Sequence, residues 1–145
     1  ARWLLRTGKS PLPVVAALAA LPQVTPGPQC AGKLASIALN RAQLWRLVAD
    51  WQSSHGQPAA EAIAQGLAAV AASDRLAGGV LTRAQAERGA LLALKAQALG
   101  EPSARKQTAT EATALLQAAL HDSPPLAWHY RSYLQAVAPQ PSSAP

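Results

Sequence analysis

Few residues of this chain have the type and spacing to do chemistry. Thr7-Gly8-Lys9-Ser10 ends like a phosphate-binding loop, in which backbone N–H groups cradle phosphate and a lysine reaches it. That pattern requires a glycine five residues before Gly8, where Trp3 stands. It also requires a strand before the loop and a helix after it. Here the preceding residues read as helix, and Pro11 and Pro13 follow. The spacing argues against a nucleotide loop. Cys30 could pair with His55, His121 or His129 as nucleophile and base. It sits beside a Pro/Gly loop at a helix start, where a thiol pKa falls. Nothing in the sequence orients a histidine toward it, so an inert, half-buried thiol is expected. His121, Asp122 and His129 lack the short, repeated ligand spacing of a metal site. Neither a metal nor a cofactor is expected.

The seven acidic residues, Asp50, Glu61, Asp74, Glu87, Glu101, Glu111 and Asp122, are isolated in sequence. Most read as solvent-facing or first-turn positions, and no paired-carboxylate signature for acid–base catalysis is present. The chain is therefore not expected to be an enzyme. The richest cluster is Trp128-His129-Tyr130-Arg131-Ser132-Tyr133. On a helix, Tyr130 and Leu134 share the face that Leu126 begins, while Trp128, Arg131 and Tyr133 turn elsewhere. Trp, Tyr and Arg anchor protein interfaces more than other residues do. Trp128 is expected either to cover the adjacent helix pair as a lid or to anchor a partner. Trp51 continues a core stripe, and Trp45 lies on another side of the same helix. The candidate partner-binding residues are Trp45, Trp128, Tyr130, Arg131 and Tyr133. The expected partner is another protein or peptide rather than a small molecule.

The elements that must position these residues follow from composition. The 145-residue chain contains 35 alanines, no Phe and no Met, and only 4% aromatic residues. Alanine is the best helix former, and the strand-forming types are scarce. The formal charge is +6, but only 14% of residues are charged, and the basic ones are scattered from Arg2 to Arg131. Nucleic-acid modules gather theirs on one face or in one run. Weak attraction to nucleic acid or an anionic membrane surface is the most that this charge supports. Ser10 to Gly32 is uncharged but holds five prolines, which argues against a membrane span. Cys30 is alone, so no intrachain disulfide forms. The compartment stays open between cytoplasm and periplasm.

Gly and Pro punctuate the apolar periodicity. Residues 1–9 read as the end of a preceding helix or a linker, with a stop at Gly8, and the chain is expected to be part of something longer. Ser10-Pro11 starts a short helix that ends at Pro22, and Thr25-Pro26-Gly27-Pro28 is a loop. A long helix is predicted from Ala31 to Ser54, with Leu34, Ile37, Leu44, Val48 and Trp51 as its buried stripe. The next helix spans 58–73. Thr82 and Gln85 form a capping box for a helix that reaches Leu99. Ser103 caps another helix, whose stripe is Ala109, Ala112, Leu116, Ala119 and Leu120. After Ser123-Pro124-Pro125 the last helix buries Leu126, Tyr130, Leu134 and Val137. Residues 10–138 thus form one all-α domain. Residues 139–145 are a Pro/Ser/Ala tail expected to be disordered.

Ala112, Leu116, Ala119 and Pro124 fall at the spacing of the closing half of a tetratricopeptide repeat. Trp45, eleven residues before Gly56, matches that family's early Trp and mid-repeat Gly. The region from Gln43 to Gln135 therefore resembles a degenerate array of this kind. The two glycines Gly56 and Gly100 are farther apart than the family's repeat, and its Leu-Gly pair and Tyr are missing. The expected architecture is antiparallel helical hairpins, stacked as a short tetratricopeptide-like array or as an irregular bundle. The resemblance implies a scaffold or adaptor offering a groove to a peptide or helix, as part of a larger bacterial signalling, secretion or envelope protein. The alternative is an accessory segment that packs on a parent enzyme or receptor.

Overall fold

The structure, a computed structural model, describes residues 4, 7–19 and 30–138. Its regular elements are α1 (Leu12–Ala19), α2 (Ala31–Ser54), α3 (Ala60–Ala77), α4 (Thr82–Ala98), α5 (Pro102–Asp122) and α6 (Ala127–Val137). A 3-10 turn, Pro124–Leu126, precedes α6. The all-α expectation is met, with no strand among the described residues. No described helix is long and apolar enough to cross a membrane. The Pro22 helix stop, the Thr25–Pro28 loop, the tail at 139–145 and most of residues 1–6 lie outside the described residues.

Short connections force successive helices antiparallel. Ser73 Oγ near the end of α3 donates to the Ala35 carbonyl near the start of α2 at 2.9 Å, and Ala59 and Ala62 meet Val48 and Ala49 at the other end. α3 and α4 pair the same way: Val70 clusters with Ala84, and Ile63 with Leu94. In α5, Leu116 and Ala119 lie against Ala86 and Ala90 of α4, and Ala112 against Leu92 and Ala93. α6 then runs along α4 in the same direction, with Tyr130 beside Ala86 and Tyr133 beside Leu94. α2, α4 and α6 are thus mutually parallel, and α3 and α5 oppose them.

The core of α2 differs from the predicted stripe. Its buried residues are Ala35, Leu39, Ala42, Arg46, Val48 and Ala49, whereas Ile37 is 56% exposed. Apart from Val48 they recur at alternating four- and three-residue steps. Alanines on that line let neighbouring backbones approach closely, and close packing favours them over the bulkier line. Two glycines play the same part. A Cβ on Gly66 would stand 2.7 Å from Leu91 Cδ2. One on Gly89 would stand 2.7 Å from Leu116 Cγ and 3.2 Å from its backbone N.

The helix ends also differ in detail. α3 runs past the predicted 73 to Ala77, where Gly78 takes the left-handed conformation at φ +70° that closes a helix at little cost. The Thr82/Gln85 capping box does not form; Leu81 is the N-cap and makes no side-chain cap bond. At α5 the cap is Glu101 rather than Ser103. Its carboxylate accepts from the N–H groups of Ser103 at 2.9 Å and Ala104 at 2.5 Å, and from the Ser103 hydroxyl at 2.7 Å. These bonds, Ala104's foremost, hold the Glu101 carboxyl below the usual carboxylate range and leave Ser103 inside the helix. At the chain's start, Gly8 at φ +68° ends a helical turn, and the Thr7 and Lys9 N–H groups donate to the Leu4 carbonyl. The Gly-Lys-Ser run is a helix stop.

Glycine-to-alanine substitutions should separate these roles. Gly89→Ala is expected to lose about 1–3 kcal/mol of urea-unfolding stability through overpacking, and more than Gly66→Ala, whose neighbour is a side-chain tip. Gly32→Ala, with open space around its Cβ, is expected to gain up to about 1 kcal/mol from helix propensity.

Candidate functional site

The alanine line of α2 carries one charged residue, Arg46, into the core. Arg46 is 4% exposed and Glu87 of α4 is fully buried. Arg46 Nε donates to Glu87 Oε1 at 2.6 Å. Tyr130 of α6, itself buried, donates its hydroxyl to Glu87 Oε2 at 2.6 Å. Arg46 Nη1 donates to the Tyr133 hydroxyl at 2.5 Å, and that hydroxyl donates to Asp50 Oδ2. Asp50 stands one turn beyond Arg46, 3.4 Å from its Nη1. The guanidinium carbon also lies 5.5 Å from the Tyr130 ring centroid and 5.1 Å from that of Tyr133, within cation–π range. One cation, two carboxylates and two phenols therefore join α2, α4 and α6.

Burial and charge pull these groups in opposite directions. Desolvation alone would make Arg46 less basic, but Glu87, Tyr133, Tyr130 and Asp50 together raise it above its ordinary value. Desolvation pushes the Asp50 carboxyl up, against the Tyr133 hydrogen bond and the Arg46 charge that draw it down. Tyr130 is pushed up to about 12, first by burial and then by the Glu87 carboxylate. Burial likewise raises Tyr133. At neutral pH both phenols are protonated donors and the guanidinium is charged. The network acts as a clamp that fixes α6 on α4 and α2.

The clamp decides which side of α6 faces water. Tyr130 is buried and Tyr133 packs on the core. Tyr133, expected to turn away with Trp128, is drawn inward by Arg46 and Asp50. Trp45 is half-buried against the cluster around Val48 and Ile63. Trp128 is 90% exposed and so covers no neighbouring helix pair. Arg131, three residues on, is also exposed. With Pro124, Pro125, Ser132 and Gln135 they line an open concavity of about 470 Å³. Of the five predicted site residues, the fold groups Tyr130 with Tyr133 inside and Trp128 with Arg131 outside. It sets Trp45 apart from both.

Arg46 and Glu87 were missed because their helices show no charge pattern. The signal available in the sequence was the i, i+4 spacing of Arg46 and Asp50 on α2; the predicted stripe did not include Arg46. The other reactive residues remain apart. His55 stacks on Trp51 with centroids 4.5 Å apart, and Cys30 is a free, half-buried thiol at the start of α2. Among the described residues no three His, Cys, Asp or Glu side chains gather as a metal would require.

Glu87→Leu strips the buried guanidinium of its fully buried counter-ion, leaving only the more distant Asp50, and is expected to cost about 3 kcal/mol in urea unfolding. The Arg46→Leu/Glu87→Leu double variant should lose less than the sum of the single losses, because no fully buried charge is left without its partner. The chain's only tyrosines are Tyr130 and Tyr133, so phenolate absorbance reports this network alone. Both should ionise above the ordinary value near 10 in the folded protein and near it in urea. Because the folded value is the raised one, the associated stability is complete below pH 10. It is lost as pH rises through about 12 for Tyr130. Comparison with family models, curated proteins and solved structures finds no match to this chain.

Proposed function

We propose that this chain is a non-catalytic helical interaction module that docks a partner protein on the outer face of α6. The observation that carries this reading is Trp128, a large indole left 90% exposed on a helix whose opposite side is clamped into the core. Tryptophan is on average a well-buried residue, and at interfaces it is a leading anchor. Arg131 adds a planar donor suited to a carboxylate. The polar groups of the Arg46 network already satisfy one another, which supports a structural rather than a catalytic role for this concentration of titratable groups among the described residues.

The helix directions favour a hairpin array over an irregular bundle. α2/α3 and α4/α5 form two hairpins, and α6 closes the stack parallel to α2 and α4. Ala112, Leu116 and Ala119 are buried in α5, on the face where the tetratricopeptide resemblance expects its packing residues. We read the chain as a degenerate array of that kind, serving as a scaffold within a larger protein. A second reading, an accessory segment packed on the rest of a parent chain, draws on Ile37, 56% exposed, and Val80, 62% exposed. Both lie toward the end of the bundle formed by the start of α2 and the α3–α4 turn.

A photo-crosslinker at Gln135 in the parent protein separates the two readings. The first expects a discrete partner protein, with capture falling roughly tenfold or more in Trp128→Ala and Arg131→Glu. Melting temperature should be unchanged, because an exposed side chain contributes within about 0.5 kcal/mol. Crosslinks confined to the parent chain favour the accessory reading. Capture indifferent to both substitutions removes the α6 face.

A further inference from the structure

The turn between α3 and α4 departs from ordinary loop chemistry. Its sequence, Leu76-Ala77-Gly78-Gly79-Val80-Leu81-Thr82, is uncharged and lies between Arg75 and Arg83. Leu76 is 38%, Val80 62% and Leu81 41% exposed. Turns are ordinarily built from Gly, Pro, Asn, Asp and Ser, and neighbouring exposed aliphatic side chains mark a contact surface. A Cβ added to Gly78 or Gly79 would meet nothing within 4 Å. The turn therefore projects from the end of the bundle instead of lining a cleft.

Two of its positions also run against the helix they start. Leu81 is the N-cap of α4 and makes no side-chain cap bond, where Ser, Thr, Asp or Asn would satisfy an open N–H. Arg83 lies in the first turn of α4, which holds no acid, and there the helix dipole favours a carboxylate over a cation. Helix stability does not account for an apolar cap followed by a cation. Arg75, Arg83 and, at the start of α2, Lys33 are exposed and form no ion pair among the described residues. Arg83 Nη2 donates to the neutral Asn40 Oδ1 at 3.4 Å. The carboxylates at this end are Asp74, whose charge is matched by Arg88 at 2.6 Å, and Asp122 at the close of α5. Lys33, Arg75, Arg83 and Arg88 outnumber those two acids, so the end that carries the turn is net positive.

We propose that the α3–α4 turn docks this chain on an anionic bilayer surface, independently of the α6 face. Leu76, Val80 and Leu81 enter the boundary between headgroups and acyl chains, and Lys33, Arg75 and Arg83 meet the anionic headgroups around them. A fluid surface closes around a protruding apolar tip, whereas a protein would need a matching cavity. Val80 then has a lipid cover in place of a parent chain. The probe is unilamellar vesicles of equal parts phosphatidylserine and phosphatidylcholine, with binding read by co-sedimentation. Binding is expected, weakening as salt is added, and about tenfold or more weaker on phosphatidylcholine alone. Leu81→Asp should weaken it about tenfold, while its melting temperature holds or rises because Asp is a favoured N-cap. Arg83→Glu should weaken it several-fold, again without loss of melting temperature, because it sets an acid in the first turn of α4. Lys106→Glu, the same charge change at the opposite end of the bundle, should leave binding within about twofold. Trp128→Ala should leave it intact, which keeps the test separate from the α6 reading. Absence of binding to the anionic vesicles, full binding by Leu81→Asp, equal losses in Lys106→Glu and Arg83→Glu, or loss in Trp128→Ala would overturn the proposal.

Discussion

The ion pair between Arg46 and Glu87 is the constraint on which the arrangement of helices depends. Two charges taken out of water cost several kcal/mol each, and they return that only when every remaining lone pair and proton is met. Arg46 meets only one Glu87 oxygen, Oε1, and Tyr130 supplies the donor to the other. Arg46 in turn has a donor left over, and Tyr133 with Asp50 accepts it and passes it on. Satisfying the pair therefore requires α6, at one register. A one-residue slip of α6 would take both phenols off the pair. The pair fixes where α6 sits more than it adds to overall stability.

This network can exist only because the surrounding helices are close. Ala42 and Ala49 flank Arg46 on α2, and Ala86 and Ala90 flank Glu87 on α4; all four are fully buried. Gly66 and Gly89 extend the same close approach to the α3–α4 and α4–α5 contacts. An interior of small residues fills little volume per side chain, so a few large groups fill the rest, chiefly Tyr130, Leu91, Leu116 and Glu87. The same economy displaces bulk outward. Ile37 and Trp128 stand in solvent because the inner lines of their helices are occupied by smaller or hydrogen-bonding neighbours. The proposed docking surface on α6 is in this sense a by-product of how the core is packed.

Much of the helical order was legible in the chain. Gly8 takes positive φ where a helix stop was expected. The α2 limits match the periodicity, and Ala112, Leu116 and Ala119 of the predicted α5 stripe are buried. Caps were less legible: Glu101 outcompeted Ser103 because a carboxylate can reach two backbone N–H groups and a hydroxyl at once. The α2 stripe was misjudged because hydrophobicity ranks isoleucine above alanine. Distance between helix axes, which no single helix encodes, favours alanine instead. At the candidate site, Trp128 and Arg131 were read as turning outward and do so, but Tyr133 was read as turning away and does not. Its direction depends on Arg46, 87 residues away.

The sequence by itself determined that this chain is helical, where its helices break, and that its acids and histidines are too dispersed to form a recognisable catalytic motif. Local backbone preferences and Gly/Pro punctuation act over a few residues and need no partner. Tertiary structure alone decided that Arg46 meets Glu87 across 41 residues and Glu87 meets Tyr130 across 43. It also decided which side of α6 is left to water. Such pairings depend on interhelical distance and desolvation, which arise only once the helices have packed.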